Sequence, residues 1–125
     1  MKKYIISAIL FALLLPLASA EKKVLRMVTS ADFPPYEFYS GSKIVGIDAD
    51  IIREIARRND FELVIEDMKF DSIIAAIQSG KGDIAASGLS VTEDRKKKVD
   101  FSASYITASQ VIIVPRNSAI RSPED

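Results

Sequence analysis

Three polar residues, Ser90, Thr92 and Arg95, lie close together at the predicted start of a helix, within the stretch SGLSVTEDRKKKVDFS. The start of a helix has unpaired backbone N–H groups and the positive end of the helix dipole, and both attract an anion. Arg95 adds a planar fork of donors that matches a carboxylate, and the two hydroxyls can donate or accept beside it. The spacing therefore indicates a binding site for a small carboxylate.

The same stretch also has a purely structural interpretation. Thr92 followed by Glu93 and Asp94 is typical of an N-cap and an acidic first turn. The basic run from Arg95 to Lys98 is compatible with a solvated helix face. The local pattern leaves both interpretations open, so the elements around it have to decide between them.

Residues 1–20 have the organisation of a secretory signal peptide. The basic pair Lys2 and Lys3 precedes an apolar run that ends in the small residues Ala18-Ser19-Ala20. The run is shorter than the roughly 20 residues that a membrane-spanning helix requires, which favours cleavage after Ala20 over a membrane anchor. We therefore expect the mature chain to be periplasmic.

The composition excludes several kinds of chemistry. The chain has no Cys and no His, and so lacks thiols, disulfides and the commonest metal ligand and general base. We expect no catalytic residue, no metal and no cofactor. The 17 basic and 17 acidic residues balance, and loss of Lys2 and Lys3 with the signal peptide leaves a net charge of −2. Nothing in this balance favours nucleic acid as a partner.

The mature chain alternates predicted strands with predicted helices. Strands are predicted at 24–30, 36–39, 43–45, 61–65, 84–86 and 108–116, and helices at 48–59, 71–80 and 92–98, with Asp48, Asp71 or Ser72, and Thr92 as N-caps. The alternation indicates an α/β fold with a mostly parallel sheet and flanking helices. In such sheets ligands bind at the carboxyl ends of the strands. Phe33 and the segment 87–90 each follow a strand, and we expect both to face one crevice.

Three motifs carry a resemblance to a known family. They are FPPYEF, VGIDADIIREIA and MKFDSIIAAIQSGKGDIAASGLSVTEDRKKKVDFSASY, in this order along the chain. In these motifs the chain resembles the extracellular solute-binding proteins of family 3, the polar amino-acid receptors of ABC importers. The resemblance implies the incomplete first lobe of a type II periplasmic-binding-protein fold at residues 21–116. Residues 117–125 would then be a linker toward a second lobe that the sequence does not contain.

The resemblance also implies roles for individual residues at the ligand's α-carbon. Arg95 corresponds to the arginine that holds the α-carboxylate, with help from the side chain and N–H of Ser90. Thr92 corresponds to a second hydroxyl that often reaches the ligand. Ser87 or Gly88 would receive the α-ammonium through a main-chain carbonyl.

The ligand's side chain would lie between two aromatic rings, since Phe33 and Phe70 correspond to the family's aromatic pair. Their residue type alone favours core positions, and the match to the family reverses that preference. Receptors of basic amino acids often carry an Asp where this chain has Ser30, and Asp32 lies two positions further on. The sequence thus leaves a lysine or arginine ligand open.

The implied function is that of a non-enzymatic, periplasmic substrate-binding component that delivers a free amino acid to the membrane permease of an ABC importer. A charge-assisted hydrogen bond contributes about 1.5–3 kcal/mol and a micromolar complex requires about 8 kcal/mol, so we expect one lobe alone to bind at most at millimolar affinity. Two alternatives remain. One is a periplasmic dehydratase of prephenate or arogenate, with Glu37 or Asp32 as the acid, and the other is the ligand-binding ectodomain of a sensor.

Overall fold

The computed structural model of the protein describes residues 22–109 and 111–125. The predicted signal peptide, residues 1–20, lies outside this part of the chain. Within it, no helix has both the length and the apolar character that crossing a membrane requires. The strands are β1 (Val24–Thr29), β2 (Asp32–Phe33), β3 (Glu37–Ser40), β4 (Lys43–Val45), β5 (Glu62–Asp67) and β6 (Ile84–Ala85). The helices are α1 (Ile47–Arg58), α2 (Ile73–Gln78) and α3 (Glu93–Lys96), and a 3-10 turn at Phe70–Ser72 precedes α2.

A parallel sheet forms the centre of the structure. Its strand order is β5-β1-β6, and both neighbours run parallel to β1. Met27 in β1 lies opposite Ile65 in β5 and Ile84 in β6. The predicted α/β class with a mostly parallel sheet is confirmed. A second sheet, β2-β3-β4, is antiparallel and contains the strands predicted at 36–39 and 43–45.

Helices cover both faces of the parallel sheet because successive side chains of β1 point in opposite directions. Met27 packs with Ile52 of α1 on one face, and Val28 packs with Ile73 and Ala76 of α2 on the other. Met27, Val28 and Ile73 are fully buried. The two apolar clusters hold β1 in place, and with it the residues that follow its carboxyl end.

The start of α1 differs from its prediction. Helix α1 begins at Ile47 with Gly46 as its N-cap residue, and no side chain caps it. Gly46 has a φ of +123°, and a Cβ there would lie 2.2 Å from the carbonyl oxygen of Tyr36. The prediction that Asp48 caps this helix is therefore wrong. Its buried carboxylate instead accepts hydrogen bonds from residues far along the chain, which are described with the site.

The predicted side-chain N-cap is present at helix α3 and absent at helix α2. The side-chain oxygen of Thr92 accepts a hydrogen bond from the Arg95 N–H, which confirms the predicted cap of α3. Helix α3 is one turn long and ends at Lys96, shorter than predicted. Ser72 precedes α2 without a side-chain capping bond, and Asp71 lies within the 3-10 turn.

The last predicted strand is wrong in the part that the structure describes. Residues 111–114 form no strand, and the exposed fractions of Val111, Ile112 and Ile113 are 80%, 63% and 92%. A β-branched run favours an extended backbone, but it becomes a buried strand only if a neighbouring strand pairs with it. No strand within residues 22–109 or 111–125 does so.

Candidate functional site

A cavity of about 580 Å³ opens beyond the carboxyl ends of β1 and β6. All of the predicted ligand-binding residues line it, together with two acidic residues. The full lining is Asp32, Phe33, Glu37, Phe70, Ser87, Gly88, Ser90, Thr92 and Arg95. The prediction that Phe33 and the segment 87–90 face one crevice therefore agrees with the structure.

Two contacts hold the guanidinium of Arg95 at the wall of this cavity. Its Nη1 donates a hydrogen bond to the carbonyl oxygen of Ser90 at 2.9 Å. Its Cζ lies 5.4 Å from the centre of the Phe70 ring, within the range of a cation–π interaction. A guanidinium has five N–H donors, and the bond to Ser90 uses one of them. The remaining N–H groups of the Arg95 guanidinium can donate to a carboxylate. The positive charge of Arg95 contributes more to binding an anion here than the dipole of the one-turn helix α3.

Both aromatic side chains present part of their surface to solvent. Phe33 is 52% exposed and Phe70 is 38% exposed, so neither is a core residue. The Phe33 ring stacks on Tyr36, with 5.2 Å between ring centres. A Cβ on Gly88 would lie 3.1 Å from the Phe33 ring, and the φ of Gly88 is +54°. A glycine at this position thus leaves room for the ring over the cavity.

Glu37 is a buried acid in the wall of the cavity, with no surface accessible to water. Its Oε1 accepts a hydrogen bond from the Ser87 hydroxyl at 3.0 Å, and that hydroxyl oxygen accepts one from the Ser30 N–H at 2.9 Å. Its Oε2 has no hydrogen-bond partner among the described residues. Burial raises the pKa of Glu37 to about 8, the Ser87 bond opposes the rise, and the charges of Asp48 and Asp32 add to it.

Asp48 lies beneath the same wall and is 1% exposed. Its Oδ2 accepts a hydrogen bond from the Gly88 N–H at 2.9 Å, and its Oδ1 accepts one from the Tyr105 hydroxyl at 2.8 Å. Burial and the bond to Asp48 raise the pKa of Tyr105 above its usual value. Asp48 therefore connects α1 to the cavity wall and to the chain near residue 105.

Asp32 lies at the surface of the cavity rather than beneath it. Its Oδ1 accepts a hydrogen bond from the Ser30 hydroxyl at 3.2 Å, and its side chain is exposed. The lining thus combines a cation, two aromatic rings and two acids. Residues 22–109 and 111–125 contain no group of three or more His, Cys, Asp or Glu side chains that could hold a metal ion.

The sequence motifs contained Glu37 and Asp48, but pattern reasoning did not predict their buried network. From the sequence, Glu37 is a candidate only as the acid of a dehydratase, and Asp48 only as a helix cap. Asp48 accepts hydrogen bonds from Gly88, which is 40 residues away, and from Tyr105, which is 57 residues away. No local signal indicates bonds over such distances.

Comparison with known proteins agrees with this geometry. The model of the family described as bacterial extracellular solute-binding proteins, family 3, matches residues 25–123. The arginine-binding extracellular protein ArtP of Bacillus subtilis is 41% identical over 104 residues, which are 83% of this chain and 41% of ArtP. The ABC transporter arginine-binding protein 1 of Escherichia coli is 30% identical over 119 residues, 94% of this chain and 48% of that protein.

A solved structure is similar as well. It is the arginine-bound form of domain 1 from TmArgBP, at 48% identity and a TM-score of 0.64, over 66% of each chain. The present chain spans less than half the length of the two curated relatives. The family model nevertheless covers most of the chain, including every residue that lines the cavity. The chain belongs to the bacterial extracellular solute-binding proteins of family 3.

Proposed function

We propose that the chain binds a free cationic amino acid, with arginine as the first candidate, as part of the substrate-binding component of an ABC importer. The observation that carries the proposal is the lining of one cavity, where Arg95 lies with two exposed aromatic rings and two acids. The relatives support it, because those named above bind arginine by name. We place the mature protein in the periplasm and its permease in the adjoining membrane.

Arg95 would hold the ligand's α-carboxylate. The contacts with Ser90 and Phe70 keep its guanidinium at the cavity without using most of its donors. A preorganised guanidinium forms charge-assisted hydrogen bonds with a carboxylate, about twice as strong as those between neutral groups. The Thr92 hydroxyl accepts from the Arg95 N–H, and its own proton remains able to point at the ligand.

The α-ammonium would meet main-chain carbonyl oxygens at Ser87 or Gly88. The Ser87 hydroxyl is already engaged with Glu37 and Ser30, and the Gly88 N–H is engaged with Asp48. Carbonyl oxygens are the groups of this segment that suit an ammonium, because a cation needs acceptors.

The ligand's side chain would lie between the Phe33 and Phe70 rings, with its cationic end toward acidic groups of the lining. A guanidinium stacks well on aromatic faces, and negative charge nearby favours it further. Asp32, two positions after Ser30, would supply the negative charge that Ser30 lacks. We propose no catalytic step, since the relatives are binding proteins and the cavity suits a ligand held unchanged.

The test is a chemical-shift titration of the chain with L-arginine, monitored by NMR. The expected Kd is in the millimolar range, because the chain spans less than half the length of the two curated relatives, and a ligand held from one side keeps part of its surface in water. Replacement of Arg95 by Ala should weaken binding about 10- to 100-fold, the equivalent of a lost charge-assisted bond. Circular dichroism should stay unchanged, since the polar contacts that the described residues make with the Arg95 side chain are the bond to Ser90 and the approach to the Phe70 ring.

Lys97→Ala is the matched control, because it removes one positive charge from the same segment. Lys97 pairs with Asp94 on the exposed surface and does not line the cavity. Its variant should bind arginine within about twofold of the parent, as expected for an exposed ion pair. Equal affinities of the parent and the Arg95→Ala variant would refute the role of Arg95.

A further inference from the structure

We propose that Glu37 loses a proton when a cationic ligand enters the cavity, so that binding of arginine is coupled to proton release. The inference rests on the proposed function and adds a property of the site to it. The observations that carry it are the position of Glu37 in the cavity lining, its complete burial and the unpartnered Oε2.

The empty site disfavours a charge on Glu37. A buried carboxylate requires hydrogen-bond donors or a counter-charge, and here one hydroxyl, that of Ser87, donates to a single oxygen. No described Lys or Arg forms an ion pair with Glu37. The raised pKa of Glu37 agrees with this geometry, since burial is its largest cause.

The titratable groups that face Glu37 from neighbouring elements are acids and a phenol. They are Asp48 from α1, Asp32 from β2 and Tyr105 from the segment after α3. The charges of Asp48 and Asp32 act in the same direction as burial, because a nearby negative charge disfavours a second one, whereas the Tyr105 phenol is neutral. The protonated form of Glu37 is thus the stable one at neutral pH while no cationic ligand is bound.

A cationic ligand in the cavity favours the ionised form of Glu37 instead. The guanidinium of arginine keeps its charge at any pH that the protein experiences, so it brings a counter-charge without a proton to exchange. Glu37 then ionises: its O–H bond breaks, the carboxylate keeps the electron pair, and the proton passes to solvent. One proton leaves for each arginine that binds below the pKa of the empty site.

The consequence for affinity follows from linkage between the two equilibria. Below about pH 7.5 a bound ligand that expels one proton gains affinity about tenfold for each pH unit. Above about pH 8.5 Glu37 is already ionised without ligand, so this gain in affinity ends, and loss of the proton from the ligand's own α-ammonium then weakens binding.

The experiment measures the Kd for L-arginine between pH 6 and pH 9 by NMR titration, together with the protons released in weakly buffered solution. The parent chain should bind about tenfold more tightly at pH 7.5 than at pH 6.5, and release most of one proton per arginine at pH 7. The Glu37→Gln variant should show neither effect, because its amide does not titrate. The Asp94→Asn variant is the matched control: it removes an exposed acid that does not line the cavity and should keep both effects.

Two outcomes would overturn the inference. One is arginine binding by the parent chain with a Kd that is constant from pH 6 to pH 8 and no proton release. The other is proton release that persists in the Glu37→Gln variant. The parent chain alone decides the first, so the test does not depend on the variant folding. Absence of arginine binding even at pH 9 is a different result, which overturns the proposed function and this inference together.

Discussion

The parallel sheet and the segment after residue 106 have similar apolar, β-branched sequences and opposite environments. Met27 and Val28 of β1 are fully buried between α1 and α2, whereas Ile113 is 92% exposed. Strand β1 has a neighbour on each side, and residues 111–114 pair with no described strand. The difference shows that pairing and helix cover, rather than residue type, decide where a β-branched run is buried.

The comparison predicts the largest loss of stability at the centre of the sheet. Ile73 packs on Val28 and is fully buried, so Ile73→Ala should lower the free energy of unfolding by about 2–5 kcal/mol through lost transfer energy and a cavity. Urea unfolding followed by circular dichroism measures this value. A loss below about 1 kcal/mol would contradict the close packing of α2 on the sheet.

The parts of the fold that the sequence predicted well depend on neighbours in the chain. The pairing of β3 with β4, helix α2 and the cap at Thr92 each depend on residues within a few positions. The helical spacing of apolar residues predicts helix α1, but it does not predict the residue at which the helix begins. The backbone of Gly46 passes close to Tyr36 there, and this approach depends on packing.

The candidate site shows the same division. The polar stretch around Arg95 indicated a carboxylate site, because the donors of that site come from one short segment. The buried acids were not predicted as a network, since Glu37 bonds to Ser87 over 50 residues and Asp48 bonds to Tyr105 over 57. Such contacts exist only after the parallel strands bring the carboxyl ends of β1 and β6 together.

Tyr105 connects the chain just before the exposed segment to helix α1, which covers the parallel sheet, because its hydroxyl donates to Asp48 of that helix. Tyr105→Phe leaves a buried carboxylate oxygen without its donor and should lower the free energy of unfolding by about 1–3 kcal/mol. Urea unfolding followed by circular dichroism measures this loss. Tyr39→Phe is the matched control, since that hydroxyl donates to Asp67 at the exposed surface and should cost no more than about 0.5 kcal/mol. Equal effects of the two variants would show that the Asp48 bond does not hold the segment.

The smallest effect is expected at Ile113, whose replacement by Ala deletes the same atoms as Ile73→Ala. The side chain loses almost no buried surface on mutation, because 92% of it is already in contact with water. The free energy of unfolding should change by less than about 0.5 kcal/mol. Solubility should rise, since exposed apolar runs promote association. A loss above about 1 kcal/mol, measured by urea unfolding at several protein concentrations, would show that Ile113 is packed in solution. Dependence of that loss on concentration would assign the packing to a second chain, and independence would assign it to the fold itself.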